Sequence, residues 1–198
     1  MIRNVIFDMG NVLRTYDPIL FIDRAGVTDP ADKDLLIREL FCSIEWSQMD
    51  WGAMTEPEVK AAILPRLPER LHEVADHMIS RWEDFSEPVP GMAALIQECK
   101  AKGMGIYLLS NATERLYTYF PKIPGHEYFD GLVVSATEKC VKPMPEIYRV
   151  LLNRYGLKAE ECLFVDDIPI NVTGAIHCGM QGFVFNNNAD DLRKKIGI

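Results

Sequence analysis

Four short polar signatures stand beside apolar runs in this chain, and their side chains suit one kind of chemistry. The first is Asp8, in Phe7-Asp8-Met9-Gly10-Asn11-Val12, directly after Val5-Ile6-Phe7. The second is Ser110-Asn111 after residues 105–109, the third is Lys142-Pro143, and the fourth is Asp166-Asp167 after residues 162–165. Three carboxylates brought to one place repel one another unless a cation or a shared proton intervenes. Carboxylates with backbone carbonyls and waters are the ligands of a hard divalent cation, and magnesium usually borrows a substrate phosphate as well. A lone lysine and a Ser-Asn pair at a helix start suit the oxygens of a phosphate. Together the set describes phosphoryl transfer: a nucleophilic carboxylate, a metal, and donors around the transferred group.

The elements that must position these residues show in the hydropathy. Short apolar runs at 4–7, 105–109, 131–134, 162–165 and 182–185 alternate with amphipathic segments near 91–102, 113–120, 145–155, 169–178 and 189–195. This alternation predicts a three-layer, Rossmann-like α/β fold, a parallel sheet covered by helices on both faces. Ligands of such sheets sit beyond the carboxyl ends of the strands, which is where Asp8, Ser110, Asn111, Asp166 and Asp167 fall.

From Tyr16 to Glu87 the alternation stops and only helical periodicity remains. Asp29-Pro30 and Thr55-Glu56-Pro57-Glu58 read as helix starts. Leu71, Val74, Ala75, Met78, Ile79 and Trp82 trace one apolar helix face. The chain returns through Pro88-Val89-Pro90-Gly91. The expected organisation is a core of residues 1–15 and 88–198 interrupted by a helical insertion of residues 16–87.

Taken in order, Asp8 to Val12, Leu109-Ser110-Asn111, Lys142-Pro143 with Ile147-Tyr148, and Asp166-Asp167 with Asn171 resemble the haloacid dehalogenase superfamily of phosphohydrolases. The likeness is to the branch of sugar-1-phosphate phosphatases and the phosphatase domain of soluble epoxide hydrolase. The resemblance implies that 16–87 is a cap closing over the site, and that the substrate is a small phosphorylated metabolite, sugar phosphates among the candidates. It implies that Asp8 attacks phosphorus and forms an aspartyl-phosphate. Mg²⁺ would be held by Asp8, the Gly10 carbonyl and Asp167. Ser110 and Asn111 would hold the phosphate, with Lys142 bridging it to Asp8. Asp166 and Asn171 would orient the metal from the same loop, Asp166 as an outer ligand or as a positioning group. A haloacid-type dehalogenase is the alternative enzyme, disfavoured because it does not need the metal carboxylates that Asp166 and Asp167 supply. A catalytically weakened ligand-binding protein is the third reading.

One departure from the pattern supports that third reading. The superfamily's second aspartate, which protonates the leaving group and later activates water, is replaced here by Gly10. General acid–base catalysis is typically worth about 10²–10⁴-fold. Either the enzyme is slow, the leaving group is good, or another carboxylate substitutes, with Asp17 and Asp50 as candidates. Trp46 and Asp50 precede the Gly52–Thr55 turn, on a cap surface that would face the substrate. Each signature alone has an ordinary explanation as a turn, a cap or a surface lysine; the weight comes from their agreement with the α/β pattern.

Composition narrows the partners. The chain is 48% hydrophobic and 25% charged, in the range of a packed globular protein. A net charge of -8 without a basic cluster argues against nucleic acid. No run approaches the roughly 20 apolar residues of a membrane span, and the first residues run straight into a strand rather than a signal sequence. Five cysteines without a C-x-x-C pair read as free thiols. A cytoplasmic protein is the expectation. His72, His77, His126 and His177 are scattered and read as structural.

Overall fold

Strands that are apolar without alternation need cover on both faces, and these strands receive it. The computed structural model describes all 198 residues. Asn4–Phe7 (β1), Gly105–Ser110 (β2), Gly131–Val134 (β3), Cys162–Asp166 (β4) and Gln181–Val184 (β5) form one parallel sheet in the order β3-β2-β1-β4-β5. Val5 and Phe7 point to one face, with Leu163, Val165, Ile106 and Leu108. Ile6 points to the other, with Phe164, Tyr107 and Leu109. The first face is covered by Met92–Ala101, by the short Leu116–Tyr119 and by the C-terminal Ala189–Ile196. The second is covered by Pro145–Tyr155 and Pro169–His177. The last strand starts one residue earlier than its hydropathy suggests, and Phe185 follows it by donating its N–H to the Asp166 carbonyl at 2.9 Å.

Residues 16–87, between β1 and β2, contain helices and no strand. Pro18–Arg24 (α1), Pro30–Leu36 (α2, continued by a π-helical turn at Ile37–Phe41), Ile44–Trp51 (α3), Glu56–Ile63 (α4) and His72–Arg81 (α5) surround their own core. The helix starts at Asp29 and Thr55 are built as the sequence indicates. Asp29 accepts from the N–H groups of Ala31 and Asp32, and the Glu58 carboxylate accepts from the N–H and hydroxyl of Thr55. Leu71, Ala75, Met78 and Ile79 are buried in this second core beside Phe21, Leu36 and Ile63.

Two sets of contacts hold this unit against the sheet. The chain leaves and returns through a paired ribbon, with Thr15 N–H donating to Glu87 O at 2.8 Å and Val89 N–H to Leu13 O at 2.9 Å. Above it Trp82 packs against both cores, stacked on Phe21 and edge-on to Tyr16 and Tyr119. At the far side α3 ends at Gly52, which lies against the short helix Ser135–Glu138 after β3. The Trp51 indole donates to Lys139 O at 2.8 Å, and the Ser135 hydroxyl donates to Asp50 O.

Gly52 is the residue that permits this approach. Its φ of +73° is in the left-handed region, and a Cβ there would lie 2.3 Å from Ala136 O. Gly52→Ala should therefore destabilise by more than the about 1–3 kcal/mol of backbone strain alone. In a chain of this size 1 kcal/mol moves Tm by about 2–4 °C, so thermal unfolding should show a fall of several degrees. A Tm equal to wild type would mean that the contact at Ala136 is not held.

Candidate active site

The strand order reverses beside β1, and the carboxyl ends of β1 and β4 open there. Asp8 extends β1 by one residue, its N–H donating to Val165 O at 2.9 Å, so the sheet itself fixes the carboxylate. Asp166 and Asp167 end the neighbouring strand. Ligand oxygens of Asp8, Asp166 and Asp167 all lie within 4.8 Å of one another.

Lys142 enters this acidic corner. Its main chain is clamped by Asn111, which accepts from Lys142 N–H at 2.8 Å and donates to Lys142 O at 3.1 Å. The ammonium then sits 2.7 Å from Asp8 Oδ1 and 2.6 Å from Asp166 Oδ2, with only 1% of the side chain exposed. Burial works against its charge, but the two carboxylates outweigh burial and hold its pKa above the ordinary lysine value. Burial lifts Asp8 to about 6; Lys142 opposes the rise and Asp166 adds to it.

The two carboxylates of the second pair are used differently. Asp166 is fully buried and saturated: Asn171 Nδ2 lies 3.2 and 3.1 Å from its two oxygens, and Ile168 N–H donates to Oδ1 at 2.8 Å. Asp167 takes one bond, from Asn11 Nδ2 to Oδ2 at 3.0 Å. Asn11 is left-handed (φ 51°), a region asparagine tolerates. Its Oδ1 accepts from Tyr16 N–H at 2.8 Å, so one residue shapes the turn after Asp8 and orients Asp167. Burial, offset by Asn11, moves the Asp167 carboxyl upward.

Asp8, Gly10, Ser110, Asn111, Lys142, Asp167 and Asn171 line one cavity of about 290 Å³, whereas Asp166 stays behind its wall. Tyr16, Trp46, Trp82 and Tyr119 form much of the opposite side, and Asp50 faces in from α3. The structure thus brings the expected nucleophile, metal and phosphate residues to one corner, where the Asn111 side chain accepts from and donates to the Lys142 main chain and keeps its second amide N–H uncommitted. Asp17 lies elsewhere: its carboxylate caps α1 through the N–H groups of Ile19 and Leu20. None of the four histidines lines the cavity. Sequence reasoning passed over Asn11, Tyr16, Tyr119 and Ser135; the last follows the carboxyl end of β3, the signal used for the other strands.

Metal fit follows from the charges. Three carboxylates face one lysine, the donors are hard oxygens, and Asp8 and Asp167 open onto the cavity. A small divalent cation suits this set.

A family model described as haloacid dehalogenase-like hydrolase matches residues 2–179. The chain belongs to the haloacid dehalogenase-like hydrolase family. Among its relatives, a sesquiterpene phosphatase of Aspergillus oryzae is 28% identical over 98% of this chain and 97% of that protein. A phosphorylated carbohydrates phosphatase of Thermotoga maritima is 25% identical over 89% of this chain and 82% of that protein. The fold is shared with a haloacid dehalogenase family enzyme of Bacteroides thetaiotaomicron, solved with magnesium and inorganic phosphate. That likeness has a TM-score of 0.69 at 22% identity, over 95% of this chain and 96% of the other. No helix of this hydrolase is long and apolar enough to cross a membrane.

The burial of Lys142 alters what its removal should do. Breaking a buried ion pair from one side costs about 3–5 kcal/mol, because the partner charge stays buried. Lys142→Met, similar in length but uncharged, should lose stability of that order at pH 7, alongside any kinetic defect. The deficit should shrink as pH falls through about 6, where the Asp8 carboxyl protonates and its repulsion with Asp166 disappears. Denaturant unfolding of both proteins at pH 7 and pH 4 measures it; an equal deficit at both would mean that charge is not the cause.

Proposed function

We propose that this hydrolase is a magnesium-dependent phosphomonoesterase that works through an aspartyl-phosphate on Asp8. The observation carrying the reading is the buried Lys142 ammonium shared by Asp8 and Asp166, with Asp167 open to the same cavity. Lys142 occupies Asp8 Oδ1, which leaves Oδ2 to attack phosphorus. Asp8, the Gly10 carbonyl and Asp167 would hold Mg²⁺, which, when bound, offsets the charge of the phosphoryl oxygens. Of the two roles open to Asp166, its saturated hydrogen bonds favour positioning: it holds Lys142, and Asn171 holds it. Ser110, buried at the end of β2, is assigned to the phosphate. Asn111 is assigned to fixing the Lys142 main chain. The acidic pair at Asp166 and Asp167 and the two phosphatase relatives support this reading over a dehalogenase.

For the alcohol portion, the cavity wall favours an apolar group over a sugar. Tyr16, Trp46, Trp82 and Tyr119 offer ring faces. The polar side chains nearby are mostly committed to one another. A substrate class such as prenyl or aryl monophosphates fits this lining, in line with the relative named for a sesquiterpene.

Three measurements test the reading. Purified protein should hydrolyse p-nitrophenyl phosphate only with Mg²⁺, and Asp8→Asn should reduce turnover by at least about 10³-fold with an unchanged fold, as expected for losing a nucleophile. Asp167→Ala should abolish the Mg²⁺ response; an unaltered Mg²⁺ titration contradicts its role as a ligand. Across a panel of phosphate esters, kcat/KM for a prenyl monophosphate should exceed that for hexose phosphates about tenfold or more, a difference of roughly 1.4 kcal/mol. The reverse ranking would return the sugar reading. Halide release from a haloacid without metal would favour the dehalogenase.

A further inference from the structure

Gly10 leaves the proposed reaction without a carboxylic acid beside the nucleophile, yet one carboxyl in the cavity has no structural task. Asp50 lies in the last turn of α3 and lines the same cavity as Asp8. Burial and the charge of Asp8 are the influences on it; no cation pairs with it and no hydrogen bond satisfies it. The buried carboxylates are committed: Asp32 to Arg70, Glu83 to Arg115, Asp8 to Lys142, and Asp166 to Lys142 and Asn171. Asp50 is half-buried and its carboxyl stays open to the cavity, uncommitted to any protein partner and free to meet what enters there.

Its position is fixed from the core. The Asp50 carbonyl accepts from the Ser135 hydroxyl, and that hydroxyl accepts from Ala112 N–H at 2.9 Å, in the loop that follows Ser110. Gly52, two residues on, allows the end of α3 to lie against Ala136. The same hydroxyl therefore ties the helix end bearing Asp50 to the loop that follows the proposed phosphate ligand Ser110.

We propose that Asp50 is the general acid of this enzyme, delivering from the helical cap the proton that the leaving oxygen requires. The proposal rests on the phosphomonoesterase reading. As Asp8 Oδ2 bonds to phosphorus, the ester P–O bond breaks and its electron pair passes to the leaving oxygen, which takes the Asp50 proton. In the second half, water attacks phosphorus, the bond to Asp8 breaks, and the water proton returns to Asp50. Both carboxyl groups are restored, and alcohol and phosphate are the products. Asp50 is protonated at neutral pH, because burial, and then the charge of Asp8, push it up to about 8. The other groups facing this space are less suited. The phenols of Tyr16 and Tyr119 are raised by burial, Lys142 is held by two carboxylates, and Asp167 by Asn11.

An acid matters most when the leaving group is poor. Wild type and Asp50→Asn should be compared with Mg²⁺ on p-nitrophenyl phosphate, whose leaving group needs little protonation, and on an alkyl phosphate. Asp50→Asn should lower kcat for the alkyl ester by about 10²-fold or more, but for the aryl ester by less than about tenfold. Its Tm should stay close to that of wild type, since the Asp50 side chain makes no ion pair or hydrogen bond that the substitution would remove. Asp50→Ala should give the same contrast and serves if the amide misfolds. Equal losses on the two esters, or none on the alkyl ester, would overturn the role of Asp50. An absence of Asp8-dependent hydrolysis of the aryl ester in wild type would instead overturn the phosphomonoesterase reading.

Discussion

The geometry of the site depends on one buried ammonium. Lys142 lies where two strands end, and without it Asp8 and Asp166 would face each other as unscreened charges. Ion pairs of this kind seldom add net stability, since desolvation consumes most of the Coulomb gain. Their worth is in placing charge. Much around Lys142 serves that placement: Asn111 grips its main chain, Asn171 and the Ile168 amide hold Asp166, and the sheet register holds Asp8. The hydrogen bonds run from α-helix to loop to strand without leaving a buried side-chain polar atom unsatisfied.

The surplus negative charge has the opposite character. Asp167 adds a carboxylate that Lys142 does not neutralise, and it opens to the cavity with Asp8. Aromatic residues across from it keep the effective dielectric low, which strengthens every electrostatic interaction inside. A corner that is poor for an isolated protein is thus well suited to a cation and a phosphate arriving together. The strain is electrostatic and local, and the packed sheet beneath supports it.

The sheet was readable because its strands are short runs of apolar residues, which stand out against the amphipathic segments between them. Asp8, Ser110, Lys142 and the Asp166-Asp167 pair were readable because strand ends in a parallel sheet point to one edge. What stayed hidden depends on contacts between distant segments. Nothing in Asn111 itself says that its amide turns to Lys142, 31 residues on, and nothing in Asn11 says that it reaches Asp167. Asp17 looked as eligible as Asp50 in the sequence, yet its carboxylate serves the start of α1. Nothing in the sequence marks out Tyr16 or Tyr119, and their place on the cavity wall arises only when Trp82 brings the two cores together.

The ribbon formed by Thr15 with Glu87 and Leu13 with Val89 has a consequence for how such a protein can evolve. Because the chain enters and leaves the helical unit at adjacent points, that unit can be lengthened, trimmed or exchanged with little loop-closure penalty and without disturbing strand register. An insertion joined in this way is modular, and selectivity can drift while the sheet is inherited unchanged. The Ser135 link to the end of α3 works against that freedom. A replacement unit would have to rebuild the contact at Ser135 and the close approach at Gly52. In this chain the two parts are fitted to each other at that contact.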